Sequence, residues 1–187
     1  MQLQDFSDYT HDNYTKENLK RLSSGVVLLA RDILKDPNFD STAVLICIHS
    51  DEGSYGLVLN RASHMPLSEI FDGFKGIDSK REVYIGGPVR QEELQVLQVT
   101  DTPVDDAFEV YPGVFLGGSW EGIGHMIETD PETTRLFLGY SGWGPDQLGE
   151  EILAGAWDVY RVDIKKLLLN PDKNFRIDSQ SISAYLE

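Results

Sequence analysis

The sequence predicts an α+β fold: a sheet of hairpin-type strands with helices interspersed irregularly. Two observations carry this. Runs of branched aliphatics recur as GVVLLA (25–30), AVLICI (43–48) and YGLVLN (55–60), the composition of buried strands. The last two are joined by the polar, Gly-containing segment HSDEGS, so residues 43–60 read as an antiparallel pair. Helical spacing, by contrast, appears only in scattered stretches. The regular strand–helix alternation of a doubly wound sheet is missing.

Taken in order, DNYTKENLKRL (12–22) sets Tyr14, Leu19 and Leu22 roughly on one side and predicts a short, loosely attached amphipathic helix. After the three aliphatic strands, PLSEIFDGF (66–74) places Leu67, Ile70, Phe71 and Phe74 at helical spacing, with Pro66 suited to a first turn. Strands follow at 82–86, 94–99 and 107–111, and Pro112-Gly113 turns the chain into 114–118. Ser119 is placed to cap a helix running to about Glu128. Residues 135–140 form another strand, 145–154 a helix, 157–162 a last strand and 163–169 a short helix. The division is an N-terminal extension at 1–24, one domain at 25–170 and a polar, partly ordered tail at 171–187.

Composition bounds the function. With 41% hydrophobic and 25% charged residues, the chain has the balance of a soluble globular protein. Acidic residues number 31 against 16 basic ones, a formal net charge of -15. The mean field therefore repels nucleic acid and anionic lipid, and direct nucleic-acid binding is disfavoured. The densest basic clusters, Lys16 with Lys20 and Arg21, and Lys165 with Lys166, are short and read as solvated surface. Cys47 is the only cysteine, which excludes an intrachain disulfide and suits a reducing compartment. No apolar segment has the length of a membrane span. The expected location is the cytoplasm.

The stretch GYSGWGPDQLGEEILAGAW (139–157) sets five glycines and two tryptophans around an acidic run. It has the strand–turn–helix setting of a hydrolase nucleophile elbow. That motif needs a small residue where Trp143 stands, and His11, His49, His64 and His125 all precede Ser141, against the usual order. A rigid turn explains more. Gly139, Gly142 and Gly144 permit a sharp reversal, Pro145 fits the first helical position, Asp146 suits the positive helix end, and Gly155 suits its stop. Amides at such a helix start can also hold an anion.

With GVVLLA, Asp36-Pro37 with Phe39, the strand ending in His49, YGLVLNR (55–61), GGPV (86–89) and GYSGWGPDQLGEEI through Trp157 in order, the chain resembles the YqgE/AlgH family of bacterial proteins from about Gly25 to Val162. The resemblance implies an α+β fold in which a bifurcated mixed β-sheet, including a small closed barrel, is surrounded by helices. It implies no enzyme activity: members are mostly described as uncharacterised, and often labelled transcriptional regulators. Three positions depart from the pattern. Ala62 stands where proline is usual, Asp146 where glycine is common, and Gln98 where many members have histidine. Ser141 occupies a place usually held by alanine, which weakens it further as a nucleophile.

The candidate binding residues are Asn60 and Arg61 at a strand end, the Gly86-Gly87-Pro88 turn, and Gly142, Trp143, Gly144 and Gln147. The guanidinium fork of Arg61 suits a carboxylate or phosphate, against the simpler role of an internal salt bridge. These residues are expected to converge into one groove for a small anion or a peptide. His49, Ser50, Asp51, Glu52 and His64 include metal-ligand types without metal-ligand spacing, so no metal or other cofactor is expected. No paired general acid and base and no phosphate-binding glycine loop appear. The sequence thus favours a non-enzymatic binding module for a protein segment or small anion. The alternatives are a regulator acting on DNA directly and, behind both, an enzyme with an unfamiliar site.

Overall fold

The structure is a computed structural model that describes residues 3–70, 81–170 and 176–187. Its strands are β1 (Val27–Ala30), β2 (Ala43–Ser50), β3 (Gly53–Val58), β4 (Ala62–Pro66), β5 (Glu82–Ile85), β6 (Val89–Val99), β7 (Phe108–Tyr111), β8 (Val114–Leu116), β9 (Thr134–Trp143) and β10 (Trp157–Tyr160). The helices are α1 (Leu3–Arg21), α2 (Leu67–Ile70), α3 (Trp120–Thr129), α4 (Gln147–Leu153) and α5 (Ile164–Leu168), with a 3-10 turn at Ile182–Tyr185. The expected helix over 66–74 is seen as α2 alone, because Phe71 and Phe74 lie outside the described residues.

The sheet runs in the order β10-β1-β2-β3-β9-β6-β8-β7, with β4 and β5 off this path. The hairpin expected over 43–60 forms, with a bulge at Cys47 between the Ile46 and Ile48 pairings. The sheet divides at β9. One edge of β9 pairs with β6, while its other edge pairs with β5 at Phe137 and Leu138 and with β3 from Ser141 to Trp143. The β5–β9 pairing is parallel, the rest antiparallel, so the sheet is mixed.

The small closed barrel implied by the family resemblance does not form. The strand path ends at β10 and β7, and among the described residues no ladder joins them. Both ends are covered in other ways. Beside β7, a Cβ on Gly25 would stand 3.1 Å from the Val110 carbonyl oxygen, an approach without pairing. At β10, the Val159 N–H donates to Asn18 Oδ1 on α1 (2.9 Å), and Val162 bridges to Leu186.

Aliphatic runs without alternation follow from burial on both faces. Leu29, Leu45 and Leu57 join Phe137, Ile164 and Leu167 in one core, while Leu28, Val44 and Ile46 join Trp143, Leu148, Ile152 and Trp157 in another. A third core under α2 and α3 gathers Leu67, Val83, Ile123, Ile127 and Leu136. Cys47 is buried, and burial pushes its thiol pKa up.

Several elements differ from expectation. Helix α1 begins well before residue 12 and packs against α4 and β10. Its contact residues include the buried polar Thr15 and Asn18, whereas Tyr14 is exposed and its hydroxyl donates to Asp158 (2.7 Å). Strand β6 starts at Val89, five residues early, through a bulge that opposes residues 89–94 to 138–140. The end of the expected tail is packed: Ile182 and Tyr185 lie in the main core, and Tyr111 donates to Glu187 (2.8 Å). Ser119 caps α3 as expected, its hydroxyl accepting the Gly122 N–H (3.3 Å). Among the described residues, no helix is long and apolar enough to cross a membrane.

Candidate functional site

The tryptophan turn is a cross-braced corner. Helix α4 starts at Gln147, so Pro145 precedes the helix and Asp146 is its N-cap residue, held at φ 62 with no side-chain capping bond. A positive φ is natural for glycine. That is the physical reason glycine suits this position. The Gly144 N–H donates to Gln147 Oε1 (3.0 Å), so this amide is already occupied. Glu151, which sequence reasoning passed over as one acid among many, is the hub. Its Oε2 accepts the indole N–H of both Trp143 and Trp157 at 2.9 Å, and its Oε1 accepts from Gln147 Nε2 (3.2 Å). Phe39 packs against both indoles, with centroids 5.8 and 5.6 Å away.

The other predicted residues serve the same frame. Asn60 Oδ1 accepts the Ala43 N–H (2.9 Å) and its Nδ2 donates to the Ser41 carbonyl (3.0 Å), tying the end of β3 to the start of β2. Arg61 makes no ion pair among the described residues. Its Nη1 donates to the Asn38 carbonyl (2.6 Å), and its Nη2 to those of Asp40 (3.2 Å) and Pro37 (3.5 Å). The guanidinium therefore clamps the loop that carries Phe39, in place of the ligand clamp or salt bridge weighed from sequence. Gly86 and Gly87 are buried against β9: a Cβ on Gly87 would stand 2.2 Å from the Tyr140 carbonyl carbon. The Ser141 hydroxyl donates to the Gly86 carbonyl (3.0 Å). Pro88, Gly142, Gly144 and Gln147 are exposed.

Asn60, Arg61, Gly86, Gly87, Trp143, Gly144 and Gln147 thus serve as wall and brace, and among the described cavities Asn60 borders two. Asn60 borders a cleft of about 410 Å³ with an apolar floor that includes Leu59, Phe137, Leu168 and Ile177, and with His64, Glu82, Tyr84, Arg135 and Arg176 around it. A second lobe of about 350 Å³ shares Asn60, Arg176 and Ile177 with the first and adds Arg31, Asp32, Asp158 and Asp178. Arg135 Nη2 donates to the Leu168 carbonyl and to that of Asn170 (3.5 Å). The Tyr84 hydroxyl donates to Glu82 Oε2 (3.1 Å). Burial, aided by Glu82, pushes the Tyr84 phenol up to about 12. Next to Glu82 in sequence, the Arg81 guanidinium donates to the Ile127 (3.2 Å) and Thr134 (2.7 Å) carbonyls, and burial holds it down to about 10, with the Arg135 charge as a second cause.

Sequence reasoning missed Glu82, Tyr84, Arg135 and Arg176. A signal existed in the strand period: Glu82 and Tyr84 alternate with buried Val83, and Arg135 alternates with Leu136 on the face of Phe137. Gln98 is fully buried and acts as a brace. It donates to the Gly117 carbonyl (2.6 Å) and accepts from the Val104 N–H (3.4 Å). His49 Nδ1 pairs with Ser54 Oγ (2.7 Å) on the β2–β3 hairpin. No group of three or more His, Cys, Asp or Glu is placed to hold a metal among the described residues.

Comparison with known proteins gives one consistent result. Residues 27–177 match the model of the DUF179 family, described as AlgH-like. A UPF0301 protein of Chlorobaculum tepidum is 37% identical over 164 residues, 86% of each chain. One from Myxococcus xanthus is 41% identical over 143 residues, 74% of this chain and 78% of its own length. The solution structure of the AlgH protein from Pseudomonas aeruginosa superposes with a TM-score of 0.67 at 27% identity, covering 81% of this chain and 83% of that one. A crystal structure of a Corynebacterium diphtheriae protein gives a TM-score of 0.62 at 25% identity, covering 74% and 75%. Sequence match, fold and the braced motif residues agree: this chain belongs to the AlgH-like family.

Proposed function

We propose that this chain is a cytoplasmic, non-enzymatic binding module that accepts a protein segment or a small anion in the cleft beside Asn60. The cleft is the observation that carries the proposal. Its lobes of about 410 and 350 Å³ fall in the size range of ligand pockets, and an apolar floor with a few fixed polar groups is the usual composition of one. In this reading Asn60 borders the ligand, while Arg61, Gly86, Gly87 and Trp143 hold the wall. The exposed Pro88, Gly142, Gly144 and Gln147 offer a second surface to a larger partner. A non-catalytic role is supported by the bond of the Ser141 hydroxyl to a main-chain carbonyl.

The net charge of -15 weighs against the alternative, a regulator acting on DNA directly, because phosphate contacts need a cationic surface. Regulation through a protein partner is compatible with the proposal. The test is a panel of short peptides and small anions followed by amide chemical shifts and melting temperature. At least one member should move the Asn60, Tyr84 and Ile177 amides and raise the melting temperature with concentration. A panel that moves no cleft amide would remove this reading.

A further inference from the structure

Building on the binding-module reading, we infer that the larger lobe takes a single carboxylate carried on an apolar group, with Arg135 and Arg176 as its counter-charges. The chain has about two acids for every base, so a cationic side chain would be expected to have acquired a carboxylate. Arg135 has none within ion-pair distance among the described residues; its Nη2 meets two main-chain carbonyls, which leave its positive charge unneutralised. Among the described residues Arg176 has one loose ion-pair contact, Nε to Asp178 Oδ2 at 3.7 Å, with side chains 89% and 43% exposed. Asp178 Oδ1 accepts the N–H groups of Gln180 (3.0 Å) and Ser181 (2.9 Å), and its Oδ2 is the oxygen that faces Arg176.

The charged side chains that line this lobe favour a singly charged anion. Among the described residues lining it, the arginines Arg135 and Arg176 face one carboxylate, Glu82. One ligand carboxylate balances the pair. A phosphate monoester, carrying about −1.5 to −2 at neutral pH, overshoots and meets Glu82. A planar guanidinium also matches a carboxylate with paired donors. The floor of Leu59, Phe137, Leu168 and Ile177 requires the rest of the ligand to be apolar. A free hydrophobic acid and the C-terminus of a peptide ending in an apolar residue share this chemistry.

The experiment titrates the full chain with 4-phenylbutanoate, 4-phenylbutanamide and phenyl phosphate, and with a leucine-terminated peptide in free-acid and amidated forms, by calorimetry and amide shifts. The expected result is binding of 4-phenylbutanoate or the free-acid peptide that moves the Tyr84 and Ile177 amides, with the matching amide and phenyl phosphate at least about tenfold weaker. Which of the two acids binds identifies the source of the carboxylate. Arg176→Ala, at an exposed side chain, should lower the affinity about tenfold without changing the melting temperature of the unliganded protein. Arg135→Lys supplies a second variant that keeps the charge and loses the fork. Equal binding of acid and amide at the cleft, or an Arg176→Ala affinity equal to wild type, overturns the carboxylate inference and leaves the binding module standing. If neither acid moves a cleft amide, the inference falls, and the wider panel decides the module on its own.

Discussion

At the scale of single residues, the family motifs owe their chemistry to polar bonds across the corner. Glu151 holds two buried indole N–H groups with one oxygen. Glu151→Ala should leave both unpaired and cost about 2–4 kcal/mol, read as a lower urea midpoint with loss of near-ultraviolet tryptophan dichroism. An unchanged midpoint would show that the tryptophans need no acceptor. Tyr84 offers a pH signature. Its folded-state pKa, about 12, is raised from 10.0, so its stabilising contribution is complete below pH 10 and is lost as pH climbs through about 12. Arg81, depressed from 12.5 to about 10, works oppositely in the alkaline range. Tyr84→Phe should therefore flatten the fall in stability between about pH 10 and 12, and an unaltered slope would contradict the shift. Asp146, Gln98 and Ser141 are positions where the family resemblance leads one to expect another residue. The buried amide brace and the buried hydroxyl give Gln98 and Ser141 structural roles, whereas nothing in the structure explains an aspartate at the left-handed cap.

Among the elements, legibility tracked burial. The strands at 27–30, 43–50 and 53–58 were plain because both faces are apolar. Strand β4 was not: ASHMP is short, bulged and holds His64 at φ 59, so it has no period to detect. The start of β6 was hidden because Arg90 to Glu93 are exposed and polar, and they cross Gly139, where a Cβ would stand 2.7 Å from the carbonyl oxygens of Gly87 and Val89. Helix α1 was under-read because its docking face is partly polar. Asn18 on that face covers a free N–H of an edge strand. Asn18→Ala should cost about 1–3 kcal/mol and speed hydrogen exchange at Val159 far more than at central Leu45. Equal protection at both sites would mean that α1 does not seal this edge.

For the whole molecule, charge is the dominant property. A net charge of -15 on 187 residues implies self-repulsion in the compact state. Raising the salt from about 0.01 to 0.15 M shortens the screening length from about 30 to 8 Å, and the melting temperature should rise with it. A falling melting temperature would mean that local ion pairs outweigh the general repulsion. Sequence alone determined the α+β class, the order of most strands and helices, the sign of the field and the family, because each follows from local period, composition or ordered motifs. Only tertiary structure decided that the sheet stays open, that Arg61 clamps the Phe39 loop, and that Arg135 and Arg176 share a cleft. The reason is reach: local pattern reports which face a side chain occupies, whereas its partner depends on which distant segment the sheet brings within a few ångströms.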